Sequence, residues 1–381
     1  MISKFKLYYI SFSLYLVLSI GFFFTKADDS TINVVITLFN AVNALLLSLY
    51  ILSRERGLFV RVFLISSFLS IIIVPSFFGG SDYNYMLDKI IGFSIIPFFA
   101  SLFLLFLVKE NGTVGLIYFI RASFVVLILT VAYKLNFGFF YRPVRYFING
   151  SIVFAWLMGL SFCLCLIVSK INSELYSKED LGKYTFIFLL AVFWGFSKGP
   201  IMAALFVYLI TNISGRFKFK EFLIMFFVMV FLGYLLFLFK EEPVISRMLN
   251  VFMNSGGVLE TSSVNARYMM FSDTISLIFK NPLLGVGLGE WGEYVSFGGA
   301  KYPHNFILEI LSELGLIIGV LYFSFVLFLF MASDKRVKIL VVFFVVVMSF
   351  SGDITYLRFL NFSLIFSYLF FPVLRFYKSE V

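Results

Sequence analysis

KYPHNFILEILSELGLIIGV, Lys301 to Val320, decides how this chain reads. It leaves a polar loop at Lys301-Tyr302-Pro303 and enters apolar sequence that continues to Met331. A run of about 20 apolar residues crosses a hydrocarbon core about 30 Å thick, so the stretch predicts a span over 305–331. Pro303 suits the first turn of that helix. His304, the one histidine in 381 residues, then stands at the mouth of the span. Asn305, Glu309 and Glu313 recur at four-residue spacing and share one face. Carboxylates are costly against lipid, so that face must look into a bundle or a wet cavity. Gly315 and Gly319 leave room for a close-packed neighbour.

Outward from this stretch the same character repeats. The chain is 61% hydrophobic and 13% charged, with mean hydropathy +1.01. Soluble domains carry about 25% charged residues. The composition predicts an all-α polytopic integral membrane protein of about twelve transmembrane helices, near 7–24, 33–52, 58–78, 90–108, 113–133, 149–169, 183–196, 199–213, 222–239, 305–331, 337–352 and 354–374. The first run lacks the short h-region and small-residue cleavage site of a signal peptide, so it is expected to be retained. The short seventh and eighth spans predict a buried hairpin. Cys163 and Cys165 point apart on a helix and imply neither a disulfide nor a metal site.

The net charge of +9 does not point to nucleic acid, because the cations lie between spans rather than on one face. They follow the positive-inside rule. With both termini cytoplasmic, Arg54, Arg56, Lys109, Arg216, Lys218, Lys220, Lys335, Arg336 and Arg375 fall inside. The opposite loops are poorer, with Lys26, Asp28 and Asp29 in one and Asp82, Asp88 and Lys89 in another.

Three parts follow: 1–239 with nine spans, a long external loop 240–303, and 304–381 with three more. The loop contains SVNARYMMFSDTISLIFKNP, residues 263–282. Val264, Tyr268, Phe271, Ile275 and Ile278 form an apolar stripe. Ser263 is the expected N-cap, and Asn281-Pro282 ends the helix, giving an amphipathic helix over 264–280 that lies on the membrane or packs on the spans. The glycine-rich GVGLGEWGEYVSFGGA after it reads as irregular backbone.

Chemistry gathers on the external side. His304 is the natural general base near neutral pH. Lys198 stands at the start of the eighth span, where helix N–H groups and the dipole favour an anion. Arg267 borders the amphipathic stripe, and Arg145 lies in a loop leading into the sixth span. No metal-ligand spacing occurs, and no cofactor is expected.

An arginine-led helix, NPLLGVGLGEW, and PHNFILEILSELGLIIGVLYF together resemble the O-antigen ligase and polymerase superfamily. SKGPIMAAL is similar to that family's SRG segment, with lysine in place of arginine. RYFINGSIVFA is similar to a looser motif that carries Arg145. The resemblance implies a metal-independent membrane glycosyltransferase at the periplasmic face of the bacterial inner membrane. Its donor and acceptor are oligosaccharides on undecaprenyl pyrophosphate, and a chain-length regulator is a possible partner. Arg267, Lys198 and Arg145 would hold the pyrophosphate, His304 would take the acceptor's proton, and Asn305 and Glu309 would support it. Polymerase is the expected activity; O-antigen ligase, transferring the glycan to lipid A core, is the alternative. A transporter of the same lipid-linked sugars is a third reading, for which Arg121 and Arg358 inside spans speak, although no internal repeat supports it.

Overall fold

The computed structural model describes residues 4–22, 30–77, 83–139, 150–171, 178–213, 258–295 and 300–380. Among them every regular element is helical. In chain order they are α1 Lys4–Phe22, α2 Ser30–Arg54, α3 Arg56–Ile73, α4 Tyr83–Ile90, α5 Ile96–Asn111, α6 Val114–Phe137, α7 Ser151–Ile171, α8 Lys178–Trp194 and α9 Lys198–Ile213. Then come α10 Val258–Lys280, α11 Trp291–Tyr294, α12 Phe306–Glu313, α13 Gly315–Ala332, α14 Lys338–Ser351 and α15 Leu357–Glu380.

Seven helical stretches of the described residues are long and apolar enough to cross a membrane: Thr37–Arg54, Arg56–Ser76, Tyr83–Asn111, Val114–Phe137, Ser151–Ile171, Gly315–Ala332 and Ile354–Arg375. Four shorter apolar helices, Tyr8–Leu18, Leu181–Trp194, Lys198–Thr211 and Lys338–Phe350, coincide with further expected spans. The expected ninth span, 222–239, lies outside the described residues.

The centre of the bundle is α7, whose side chains are buried nearly all round. Cys163 and Cys165 sit there as buried thiols. Gly159 makes the packing possible: a Cβ on it would stand 2.0 Å from Cζ of Phe343 on α14. α5 lies along α15, and α9 along α14.

Two of the long rods are not continuous helices. Between α4 and α5 the chain takes a π turn at Ile91–Ile95, where Gly92 presses on the backbone of Thr355, 2.1 Å from its oxygen if a Cβ were present. The Phe93 carbonyl accepts from Nδ2 of Asn361 at 2.7 Å, and Tyr322 donates its hydroxyl to Oδ1 of that asparagine at 2.8 Å. A side chain thus bonds a carbonyl of the disturbed turn, as a buried backbone acceptor requires.

The second break corrects the expected tenth span. It is two helices, α12 and α13, divided at Leu314-Gly315. Gly315 has φ +76°, and a Cβ on it would lie 2.3 Å from the Leu283 oxygen. Facing it, Gly285 has φ +69° and would clash with the Glu313 carbonyl at 2.4 Å. The two glycines stand back to back so that the loop after α10 can bond into the break. Val286 N donates to Ser312 O at 2.9 Å and Gly287 N to Glu313 O at 3.0 Å. Leu316 N in turn donates to Pro282 O at 2.8 Å. Gly315 therefore takes a loop, not a helix. Gly319 meets a side chain, Leu311 of α12.

The amphipathic helix is also longer than expected. α10 begins at Val258, so Ser263 is inside it rather than its cap, while its end at Lys280 agrees with the Asn281-Pro282 stop. The expected stripe is not the packed face: Tyr268 and Phe271 are exposed. Met270, Thr274 and Leu277 are buried instead and pack with Trp291 and Val295. Trp291 donates its indole N–H to the Thr274 hydroxyl at 2.9 Å. Apolar residues facing outward are expected where the surroundings are lipid rather than water.

Candidate functional site

The site is built on α12. Asn305 is its N-cap, with extended backbone, and its Oδ1 accepts from Ile307 N at 3.0 Å and Leu308 N at 3.1 Å. This is the bond an N-cap makes. Its Nδ2 donates to Ser349 O at 3.0 Å, which pins α12 to the end of α14. Pro303 therefore lies before the helix and not in its first turn. His304 is left in the turn that precedes the cap, with φ +56°. The left-handed region is uncommon for a residue with a Cβ, and such strain collects at functional sites. The imidazole is half-buried, its ring edge against Tyr302 at 4.5 Å and 63°.

One helical turn along, Glu309 and Glu313 face inward and are fully buried. Their partner is Lys89 on α4, also fully buried. Lys89 Nζ lies 2.7 Å from Glu309 Oε1, and 2.6 and 2.7 Å from the two Glu313 oxygens. An external-loop position was expected for Lys89; the structure overturns it. The reason is electrostatic. Two carboxylates four residues apart on a buried face need a cation, and α4 ends beside them before the π turn.

The remaining lone pairs are used on backbone. Glu309 Oε2 accepts from Ile354 N at 3.0 Å. Glu313 Oε2 accepts from Gly289 N at 2.9 Å, and its Oε1 from Trp291 N at 3.4 Å. A buried ion cluster of this kind is stable only with such additional bonds. It fastens four segments to one point: α4, the glycine loop after α10, α12 and the turn before α15. The Tyr85 ring is shared by Lys89 Nζ at 4.6 Å and Lys301 Nζ at 5.0 Å, so the loop carrying His304 also touches α4. Asp353, between two spans, caps the turn Ile354–Tyr356 by accepting from Tyr356 N at 2.9 Å. Burial pushes its carboxyl up to about 6, against the opposing pull of Lys89.

Lys198 opens α9 as expected and is exposed. Contacts place it at the same end of the bundle as α12. Gly195, in the turn before α9, abuts Ala155 and the Ser151 carbonyl at the start of α7. Trp156 of α7 sets its ring edge on Tyr356 at 4.8 Å, and Ile354 bonds Glu309. Arg267 falls in α10, three residues before buried Met270, with its side chain outside the described residues. Arg145 also lies outside the described residues. Arg358 is buried beside the same turn, 5.1 Å from the Tyr356 ring centre, whereas Arg121 is exposed on α6.

Residues 184–324 match the family model described as O-antigen ligase. The match takes in α9, the glycine loop and α12, consistent with the O-antigen polymerase and ligase superfamily that the motifs resemble. No curated protein matches the chain.

Proposed function

We propose that this chain, whose match to the O-antigen ligase family takes in the glycine loop and α12, is a polysaccharide polymerase of the bacterial inner membrane. It joins repeat units carried on undecaprenyl pyrophosphate. The hydroxyl of one lipid-linked glycan attacks the anomeric carbon of another. The bond to pyrophosphate breaks, and the pyrophosphate leaves with its electron pair. His304 takes the hydroxyl proton, the role suited to an imidazole near neutral pH. Lys198, Arg267 and Arg145 meet the charge that grows on the leaving group, and the N-terminus of α9 adds its dipole. With cations in that role the reading needs no metal. Asn305 and Glu309 hold the loop that carries His304. The active face is periplasmic, with both termini in the cytoplasm.

One observation carries this reading: Lys198, the glycine loop and His304, far apart in sequence, belong to one end of the bundle, and the last two are tied to the same buried ion cluster. The second reading, a ligase that moves the glycan to lipid A core, fits the family description equally.

The test is a deletion in the native host, complemented with wild type or His304→Asn. Asparagine tolerates positive φ far better than most residues, so the loop keeps its shape while the imidazole is lost. Lipopolysaccharide that collapses to core plus a single repeat, unrestored by His304→Asn at normal membrane levels, is the expected result. Loss of every O-antigen band with long chains on the carrier would identify a ligase. An unchanged ladder overturns both.

A further inference from the structure

From Tyr268 onward α10 has three faces, each repeating at three- and four-residue spacing. Met270, Thr274 and Leu277 are buried on the protein side. Asp273, Ser276 and Lys280 form a polar, exposed face. Tyr268, Phe271 and Phe279 form an apolar face that is exposed as well, with Ile275 half-buried among them. A helix with one packed, one polar and one bare apolar side suits a bilayer surface, apolar side down.

The bare face runs on past the end of the helix. Leu283 and Leu284 are 59% and 64% exposed, as bare as Ile317 and Val320 of α13 at 56% and 55%. The corner is bonded to α13 itself: Leu316 N donates to Pro282 O at 2.8 Å and Ile317 N to Leu283 O at 3.3 Å. α13 is one of the stretches fit to cross a membrane, and its 18 residues rise roughly 27 Å, close to the thickness of the hydrocarbon core. With Ala332 at one boundary, Leu316 and Ile317 lie at the other, and the two carbonyls bonded to them lie at the same depth. Gly285 N closes the corner on Asn281 O at 3.2 Å, and Pro282 has no N–H to leave bare. The exposed Lys280 has a stem long enough to return its ammonium to the headgroups.

We infer that the corner 279–284 is sunk into the bilayer leaflet at the α12 end, with Phe279, Leu283 and Leu284 among the acyl chains and Asp273 and Ser276 in the headgroup and water layer. Its partner is lipid, because the patch continues the outward side of a span without a break. The glycine loop begins at the next residue, Gly285, and Gly289 N is bonded to Glu313 at 2.9 Å. The bilayer therefore takes part in holding the buried ion cluster. The inference does not depend on the activity proposed above.

The test uses the full chain in vesicles of phosphatidylethanolamine and phosphatidylglycerol, free of any isoprenoid carrier. Phe279→Cys, Leu283→Cys, Leu284→Cys, Ser276→Cys and Val320→Cys are each labelled with a nitroxide, the two native thiols being buried. Spin relaxation by dissolved oxygen and by a water-soluble nickel chelate is then compared. The oxygen-to-nickel ratio at the three corner positions is expected to be severalfold above that at Ser276→Cys and close to that at Val320→Cys. A corner ratio equal to that of Ser276→Cys would put the segment in water and overturn the inference. Weak relaxation by both agents would mean cover by protein, such as a second copy, and would overturn it too. Thermal melting shows which labelled variants fold, and the three corner positions report one depth, so any of them that folds decides the outcome.

Discussion

Lys89 shows what one side chain can hold. Removing a single partner from a buried ion cluster strands the opposite charge and costs about 3–5 kcal/mol. Lys89→Met should therefore destabilise the purified protein by that order, seen as early thermal aggregation. Lys89→Met with Glu309→Gln and Glu313→Gln should recover part of the loss, because no bare carboxylate remains. Recovery of none would mean that the ions are not what holds these segments. The two acids were legible in the sequence, as a buried face at four-residue spacing. Their lysine was not. It is 220 residues from Glu309, and periodicity says nothing about pairs at that distance. The demand for a cation was readable; its address was not. The strain at His304 was hidden for a related reason, since Pro303 fits either a first helical turn or the loop before a cap.

At the scale of elements, glycine decides where helices break. Gly315→Ala adds a Cβ at 2.3 Å from the Leu283 carbonyl, at a φ that L residues rarely adopt. It should cost several kcal/mol, on the order of a strained backbone plus an overpacked contact. Gly57→Ala, within α3 and with nothing within 4 Å of its added Cβ, should instead gain about 0.5–1 kcal/mol. Parallel thermal melts of the two variants check this, and equal effects would refute the back-to-back arrangement. The sequence showed α10 ending at Asn281-Pro282, because proline constrains its predecessor. It misled about the inward face. Hydrophobic periodicity locates apolar surface, but in a membrane protein that surface can meet lipid, so the stripe through Tyr268 and Phe271 turned outward.

For the whole molecule, hydropathy yields the bundle and the charge of its loops yields an orientation. Lys301→Cys should be labelled by an impermeant maleimide from outside the membrane, and Lys335→Cys only after permeabilisation. The native thiols, both buried, keep the background low. The reverse pattern would invert the proposed topology. What hydropathy cannot yield is the meeting of distant segments, and this has a consequence for biosynthesis. At about 5–20 residues per second, Glu309 follows Lys89 out of the ribosome by roughly 10–45 s. For that interval α4 is held in or near the bilayer with an ammonium and no counterion. The N-terminal half cannot settle on its own. Nascent chains stopped short of residue 309 should remain extractable or be degraded, and the last third of the protein acts as the step that commits the first third to the membrane.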